Sequence, residues 1–500
     1  MNREGWVKVF ARFRRALDFL FQSGGSLPSQ MTRSSVWVFV SYGVQQAIML
    51  LRSIVLARLL TPADFGLMGL ASLTTAALLV FTETGIYMAL LQRKTLDRET
   101  EDTAWLIMAG RGVVLGLILL FMAPWIARFF AQQQLGPVLR ALAGLFVLTG
   151  LNSLSVIEVQ RDLRFERIAF LNAAVAFVSF FVWTGAAFVM RNVWALVIGE
   201  LISAAVTLVL TYRLTDYRPR LRFSTSKAKE LLNFGRFLTL SGIITYLATQ
   251  GDDALVGKLL GTPALGYYER AYSASNLPAT SISHVINRVT VPAFSRVQDD
   301  IQQLRTLYLN TLRITALVIF PFVGLMFVLA DQFIPVVYGS MWIPAIPAFT
   351  VLCFFGLERA IGSLVGPVFV ALGHTRLLML VNLSKLVSMA ALIVPLTMCY
   401  DFLGTSVAVT VSALVVQMVV LVATSRLLEV SVFLILGQVA RPAIVTVSVV
   451  VMVSVLQRVT GWSVGLGSLL VQAASGGLLY ALIIGWWEKP FLTRILARHW

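Results

Sequence analysis

The feature that most constrains this chain is a series of about fourteen apolar runs, each long enough to form a membrane-spanning helix of about 20 residues. The separators between these runs are too short to hold a folded soluble domain. Of the 500 residues, 58% are hydrophobic and 13% charged, with a mean hydropathy of +0.82. These values predict an all-α integral membrane protein. The runs begin near residues 36, 65, 104, 138, 166, 193, 237, 264, 307, 344, 376, 402, 440 and 464.

Positive charge is concentrated in alternate connections between the runs. The formal net charge is +16, which in a membrane protein indicates helix orientation and not nucleic-acid binding. Basic connections at 93–98, 161–167 and 213–236 are therefore predicted to face the cytoplasm, together with both termini. Residues 1–34 are predicted to form a basic amphipathic segment on the cytoplasmic leaflet, and 489–500 a cytoplasmic tail.

A short motif occurs twice, 200 residues apart. "ARLLTPADFG" begins at Ala57 and "GKLLGTPALG" begins at Gly257, and the hydropathy pattern agrees at the same offset. Residues 35–230 and 235–428 each hold about six runs, so a duplication predicts two parallel six-helix lobes. Two additional helices are predicted within 438–488. Two lobes related by an axis along the membrane normal would leave a cleft between them, which favours transport by alternating access.

Polar residues share one helical stripe in the first run of each predicted lobe, with spacings of four and seven residues. Two interpretations stay open at this stage. The stripes could line a common cavity, or the charged members could pair to hold the lobes together, and a gate would combine both roles. The matched positions are Ser41, Gln45 and Arg52 in the first lobe and Ser241, Thr245 and Asp252 in the second.

Several ionisable residues lie inside the apolar runs, where each costs about 2.5–3.5 kcal/mol unless it faces water or a partner. Each could form a structural ion pair with a neighbour. Because cations exceed acids at the cytoplasmic ends of the runs, we expect a hydrated cavity that receives an anionic ligand from the cytoplasm. Glu83, Asp252 and Asp253 are candidates for coupling to a proton or sodium gradient, or for gating. The candidate substrate-binding cations are Arg52, Arg111, Arg270, Arg288, Arg359 and Lys385, and the candidate polar cavity residues are Ser41, Gln45, Ser241, Thr245 and His284.

Signatures of other chemistry are missing from the sequence. It contains no phosphate-binding loop of the G-x-x-x-x-G-K-[ST] type, so no nucleotide is expected to drive the protein directly. His284, His374 and His499 are too dispersed for a metal site, and no catalytic triad can be argued. Cys353 and Cys399 lie in apolar runs and predict no disulfide framework. We therefore expect a non-enzymatic protein without a metal or cofactor.

Two segments of the sequence resemble a known family. "LARLLTPADFGLMGLA" with "FTETGIYMALLQRK", and "GDDALVGKLLGTPALGYYERAYSASNLP" with "VTVPAFSRVQDD", resemble the Wzx-type polysaccharide repeat-unit flippases of the multidrug/oligosaccharidyl-lipid/polysaccharide (MOP) exporter superfamily. Within that family the match is to the branch that serves colanic acid, succinoglycan and similar exopolysaccharides. The resemblance implies a V-shaped, MATE-like bundle of two six-helix lobes plus two C-terminal helices, in a bacterial inner membrane.

The same resemblance implies a substrate and partners. The substrate would be an undecaprenyl-diphosphate-linked oligosaccharide, moved from the cytoplasmic to the periplasmic leaflet for exopolysaccharide or lipopolysaccharide synthesis. Arg52, Arg270 and Arg288 would meet the diphosphate and anionic sugars. Membrane lipids, a polysaccharide polymerase and a chain-length regulator are the implied partners, without nucleic acid. One departure is Glu83, where the family commonly has Asp.

Three other functions compete with this interpretation. A MATE-type multidrug exporter would share the lobes but recognise organic cations, which the excess of cavity cations argues against. A membrane polysaccharide polymerase or glycosyltransferase would need a large outside loop with catalytic residues, whereas the predicted outside connections are short. A scaffold for polysaccharide assembly could use the basic 213–236 connection, but this function would leave the polar stripes unexplained.

Overall fold

The chain is all-helical in a computed structural model that describes residues 27–93, 96–162, 164–491 and 493. The described part contains no β-strand, which confirms the predicted fold class. The helices are α1 Leu27–Leu59, α2 Pro62–Phe81, α3 Ile86–Gln92, α4 Arg98–Phe129, α5 Leu135–Gly150, α6 Ser155–Arg161, α7 Phe165–Met190, α8 Trp194–Thr211, α9 Thr225–Leu259, α10 Thr262–Arg296, α11 Ile301–Val328, α12 Ala330–Val337, α13 Ile346–Gly362, α14 Val365–Ala371, α15 Thr375–Leu427, α16 Val432–Thr460 and α17 Leu466–Trp487, with a 3₁₀ helix at Ser340–Ala345.

The described helices establish a multi-pass membrane protein. Ten are long and apolar enough to cross a bilayer, or eleven if the bent pair α5 and α6 is one span. Helix α15 contains a non-helical break at Tyr400 and Asp401, which separates the runs predicted near 376 and 402. Helices α9 and α10, each of 35 residues, are not among the ten. The count of fourteen spans stays a prediction.

Two compact units make up the fold. One contains the chain up to Leu60 together with Thr74–Ile244, and the other contains Thr61–Leu73 together with the chain from Thr245 onward. The first unit therefore holds α1 and α3 to α8, and the second holds the first part of α2 and α10 to α17. The predicted segment boundaries at 34, 230, 428 and 488 stay predictions.

The repeated motif starts two helices that pack against each other within the second unit. At the start of α2, Thr61 Oγ1 donates to Asp64 Oδ2 at 2.6 Å, and Asp64 N donates to Thr61 Oγ1 at 3.3 Å. This reciprocal cap fixes the first turn of the helix, with Pro62 at its first position. A Cβ on Gly66 would lie 1.8 Å from Thr262 O, and one on Gly266 would lie 1.9 Å from Pro62 O. The matched glycines thus let two helix backbones touch.

The segment that follows α8 lies on the second turn of α4 in the first unit. Arg220 N donates to Asp102 Oδ1 at 3.0 Å, and Ser224 N donates to Thr103 Oγ1 at 3.1 Å. Tyr217 is buried beside them, and burial together with the Asp102 carboxylate raises the pKa of its phenol. These contacts anchor a connection that carries much of the predicted cytoplasmic charge.

Two polar networks join helices α16 and α17 to the other helices of the second unit. Gln457 Nε2 donates to Gln472 Oε1 at 2.8 Å, and Gln472 Nε2 donates to Gln332 Oε1 at 3.2 Å. Near the end of α17, the buried Glu488 forms an ion pair with Arg313 of α11 and approaches Arg441 NH1 to 3.6 Å. Apolar packing between the networks completes the attachment of the two C-terminal helices.

Candidate functional site

A cavity of about 300 Å³ lies among three helices of the first unit, and its lining contains a predicted cation together with six other polar side chains. Each helix contributes residues at spacings of three, four or seven, so that one stripe of each helix faces the cavity. The polar lining residues are Gln45 and Arg52 from α1, Asn172 and Ser179 from α7, and Glu200, Ser203 and Thr207 from α8. A polar cavity inside apolar helices provides the hydration that a membrane-embedded cation requires.

Arg52 is the cation of this cavity, and the structure gives it an aromatic neighbour. Its guanidinium carbon lies 4.3 Å from the ring centroid of Trp183, within cation–π range. Glu200 is the acidic residue that acts on Arg52 electrostatically. Among hydrogen bonds and ion pairs between described residues, none uses the Arg52 guanidinium. Its donors therefore face the cavity and can meet an anionic group there.

The position of Trp183 depends on one small residue. A Cβ on Gly199 would lie 2.5 Å from the indole ring, so glycine lets Trp183 close against α8. The indole Nε1 donates to Ser203 Oγ at 3.1 Å, and Ser203 Oγ donates to Gly199 O at 2.6 Å. These bonds hold the ring in place under the Arg52 guanidinium.

Two residues with separate predicted roles, Glu83 and Arg111, lie together at the end of α2. Arg111 NH2 is 3.9 Å from Glu83 Oε2 and donates to Leu79 O at 2.6 Å. It also donates to Thr82 Oγ1 at 3.1 Å, while Gly85 N donates to Glu83 Oε1 at 3.0 Å. Arg111 therefore satisfies carbonyl and hydroxyl oxygens where α2 ends.

A second polar cluster lies in the second unit, around the start of α10. Tyr268 OH donates to Asp252 Oδ2 at 2.6 Å, while Asp252 Oδ1 is buried without a hydrogen-bond partner among the described residues. Asp253 and Glu269 lie near enough to Asp252 to interact electrostatically. A Cβ on Gly69 would lie 2.1 Å from Glu269 Oε1, so this carboxylate sits directly on α2. The cluster brings three acids together.

Cations of the second unit are held mainly by aromatic rings. The Arg270 guanidinium carbon lies 4.2 Å from the Phe65 ring centroid and 5.7 Å from that of Trp342. Arg359 NH1 donates to Tyr272 OH at 3.2 Å. Lys385 Nζ lies 5.4 Å from the ring centroid of Phe355, with Glu358 and Asp252 acting on it electrostatically. Cation–π contacts stabilise the charges of Arg270 and Lys385 without neutralising them.

The structure describes the side chains of some of the remaining predicted residues but not of others. Ser41 is buried and accepts a hydrogen bond from Gln45 Nε2 at 2.8 Å. Thr245 is exposed in α9. The side chains of Ser241, His284 and Arg288 lie outside the described residues. Among the side chains that the structure does describe, no group of three or more His, Cys, Asp or Glu residues could hold a metal ion.

Sequence reasoning did not assign roles to the aromatic partners Trp183, Tyr268 and Trp342. A lone aromatic residue in an apolar run is typical of lipid contact or packing, so the sequence carries no signal that these rings face charges. A usable signal did exist for α8, because Glu200, Ser203 and Thr207 recur at helical spacing within an apolar run.

Comparisons with known proteins identify the family and the fold of the chain. The sequence matches the family described as polysaccharide biosynthesis protein over residues 55–347. The lipopolysaccharide biosynthesis protein WzxC of Escherichia coli (strain K12) is 26% identical over 397 residues, which cover 79% of this chain and 80% of WzxC.

Solved structures identify the fold. The lipid II flippase MurJ, in an inward closed conformation, superimposes with a TM-score of 0.73 at 13% identity, over 92% of this chain and 99% of the MurJ chain. An inward-facing MATE multidrug resistance transporter of the MOP superfamily gives 0.61 at 16% identity, over 83% of this chain and 97% of its own. These likenesses confirm the MATE-like fold expected from the sequence. Because the family match covers more than half of its length, the chain belongs to the family of polysaccharide biosynthesis proteins.

Proposed function

We propose that this protein is a flippase that moves undecaprenyl-diphosphate-linked oligosaccharide repeat units from the cytoplasmic to the periplasmic leaflet of a bacterial inner membrane. It would work by alternating access and perform no catalytic step. A relative named as a lipopolysaccharide biosynthesis protein and a structural neighbour named as a lipid II flippase support a lipid-linked saccharide as the cargo.

The observation that carries the proposal is Arg52 in its cavity. A guanidinium inside an apolar span costs about 2.5–3.5 kcal/mol on insertion scales, so its retention needs a compensating role. Trp183 covers one side of the cation, while Gln45, Asn172 and Ser203 supply neutral hydrogen-bonding groups around the cavity. Neutral amides and hydroxyls are suited to sugar hydroxyls, and a guanidinium with open donors is suited to a phosphate or an acidic sugar. Glu200 lines the cavity too and acts on Arg52 electrostatically, but the open guanidinium donors can still meet the anionic group of a saccharide headgroup.

The three acids of the second unit support a proposal for energy coupling. Asp252, Asp253 and Glu269 lie close together, and a buried Asp252 oxygen lacks a hydrogen-bond partner among the described residues. Such a cluster is favoured when a proton joins it, because close carboxylates repel each other. We propose that this cluster couples transport to the proton or sodium gradient, and that Glu83 contributes to gating.

Partners and orientation follow from the same function. A flippase delivers repeat units to a polymerase and its chain-length regulator, so we propose these as neighbours in the membrane. The charge of the connection at 213–236 supports cytoplasmic termini, by the excess of cations expected on that side.

The test is a deletion of the gene in its host, followed by lipid extraction and leaflet-selective labelling of the lipid-linked oligosaccharide. We expect the intermediate to accumulate in the cytoplasmic leaflet. Wild-type protein should relieve this accumulation, whereas Arg52→Gln at equal protein level should not. Arg458→Gln, which changes an exposed arginine in the last turn of α16, is the matched control and should restore export. Outer-leaflet intermediate in the deletion strain would refute the proposal.

A further inference from the structure

A second cavity, of about 490 Å³, lies in the first unit at the turn between α4 and α5. Two arginines flank it, Arg128 from the last turn of α4 and Arg140 from the second turn of α5, and both are exposed. Gln132 and Gln133 also line it, and no carboxylate belongs to its lining. None of the ion pairs or hydrogen bonds between described residues uses the side chain of Arg128 or Arg140. The cavity is therefore lined by guanidinium and amide groups whose hydrogen-bond donors are available to a ligand.

Several backbone N–H groups at this turn are already bonded within the chain, so the binding capacity of the cavity lies mainly in its side chains. Ala131 N donates to Arg128 O at 3.1 Å, and Gln132 N donates to Ala127 O at 2.9 Å. On the α5 side, Leu135 N donates to Gln132 O at 3.1 Å, and Pro137 has no N–H to offer. Two guanidinium groups with five donors each then remain, and guanidinium groups favour phosphate and carboxylate oxygens.

The cavity lies next to a stripe of aromatic side chains. Phe121, Trp125 and Phe129 recur every four residues on α4 and are 67%, 62% and 59% exposed. An exposed Trp near the end of a spanning helix is typical of the boundary between acyl chains and headgroups, and exposed Phe side chains suit contact with the acyl chains. Helix α4 has 32 residues, a length of about 48 Å, and starts directly after the basic connection at 93–98. The cavity is thus at the far end from that connection, on the predicted outer side.

We propose that Arg128 and Arg140 form a docking site for the phosphate of a lipid headgroup in the outer leaflet. The acyl chains of that lipid lie along Phe121, Trp125 and Phe129, and the glutamine amides donate to the remaining headgroup oxygens. The site is separate from the Arg52 cavity, which lies among α1, α7 and α8. It does not depend on the transport proposal, because a lipid would bind there whether or not the protein moves cargo.

The test is native mass spectrometry of the detergent-solubilised full-length protein, titrated with phosphatidylglycerol. The double variant Arg128→Gln, Arg140→Gln should bind this lipid at least about tenfold more weakly than wild type, as expected for the loss of charge-assisted hydrogen bonds. The double variant Arg128→Lys, Arg140→Lys keeps the charge and should retain most of the binding.

Two controls keep this proposal open to refutation. Arg191→Gln changes another exposed arginine, at the end of α7 and outside the cavity lining, and should bind phosphatidylglycerol like wild type. Inorganic phosphate at equal concentration should not displace the bound lipid, because it lacks the acyl chains. Unchanged lipid binding by the glutamine double variant would overturn the proposal. An equal loss in Arg191→Gln, or displacement of the lipid by inorganic phosphate, would also overturn it.

Discussion

The contact between Gly66 and Gly266 gives the sharpest quantitative prediction. Each glycine faces a backbone carbonyl of the other helix, and a Cβ there would approach that oxygen to 1.8 Å in one case and 1.9 Å in the other. Ordinary contact distances are above about 3.4 Å, so Gly66→Ala or Gly266→Ala must push the two helix starts apart by on the order of 1.5 Å. A backbone carbonyl cannot rotate away as a flexible side chain can.

The expected cost follows from two opposing effects. Overpacking of this kind costs about 3 kcal/mol at the upper end of its usual range, because the backbone itself must shift. Alanine is also a better helix former than glycine by about 1 kcal/mol. We therefore expect a net loss of about 2 kcal/mol for either substitution. Since these residues touch the same partner helices, the double variant should lose less than the sum of the single variants.

Thermal unfolding of the purified protein in detergent, followed by loss of the monodisperse peak in size-exclusion chromatography, measures this effect. At about 2 °C per kcal/mol, each variant should lower the apparent Tm by about 4 °C. Gly437→Ala is the matched control, because it lies in α16 of the same unit with nothing within 4 Å of an added Cβ. It should keep or slightly raise the Tm. Unchanged Tm values for Gly66→Ala and Gly266→Ala would refute the close crossing.

Three further predictions use other parts of the chain. Glu488→Ala removes a buried carboxylate from Arg313 and should cost about 3–5 kcal/mol, seen as a lower apparent Tm than that of the exposed-site variant Arg458→Gln. Cys399 is exposed beside the break in α15, on the predicted outer side, whereas Cys353 is buried. A membrane-impermeant maleimide added outside intact cells should therefore label Cys399 and not Cys353. Labelling confined to permeabilised cells would contradict the predicted orientation. Asp252→Asn should weaken the dependence of export on the proton or sodium gradient, measured with ionophores, and an unchanged dependence would assign this carboxylate to structure.

Most of the fold could be predicted from the sequence because lipid leaves the backbone few choices. Helices satisfy every internal N–H and C=O group, so long apolar runs in a membrane protein form helices. The repeated motif identified two equivalent positions in the fold, because its two copies begin helices α2 and α10 and their matched glycines are in contact. The bend between α5 and α6, of 47°, could not be predicted, because an apolar run does not specify where a helix changes direction.

The cation of the candidate site could be predicted from the sequence, but its neighbours could not. Arg52 could be identified because a cation inside an apolar run is costly wherever the helix lies. Its neighbours Trp183 and Glu200 belong to helices more than a hundred residues away, and only the folded chain brings them together. Gly199 could not be predicted either, since its importance lies in the approach of one indole ring.

Transbilayer movement by the purified protein tests the central claim most directly. The protein would be reconstituted into vesicles that carry a fluorescent undecaprenyl-diphosphate oligosaccharide, and the fraction reached by a membrane-impermeant quencher would be followed over time. We predict that wild-type protein and Arg458→Gln raise the rate at which inner-leaflet lipid becomes quenchable, whereas Arg52→Gln does not. A rate no higher with wild-type protein than in empty vesicles, with a proton or sodium gradient imposed in either direction, would contradict the account.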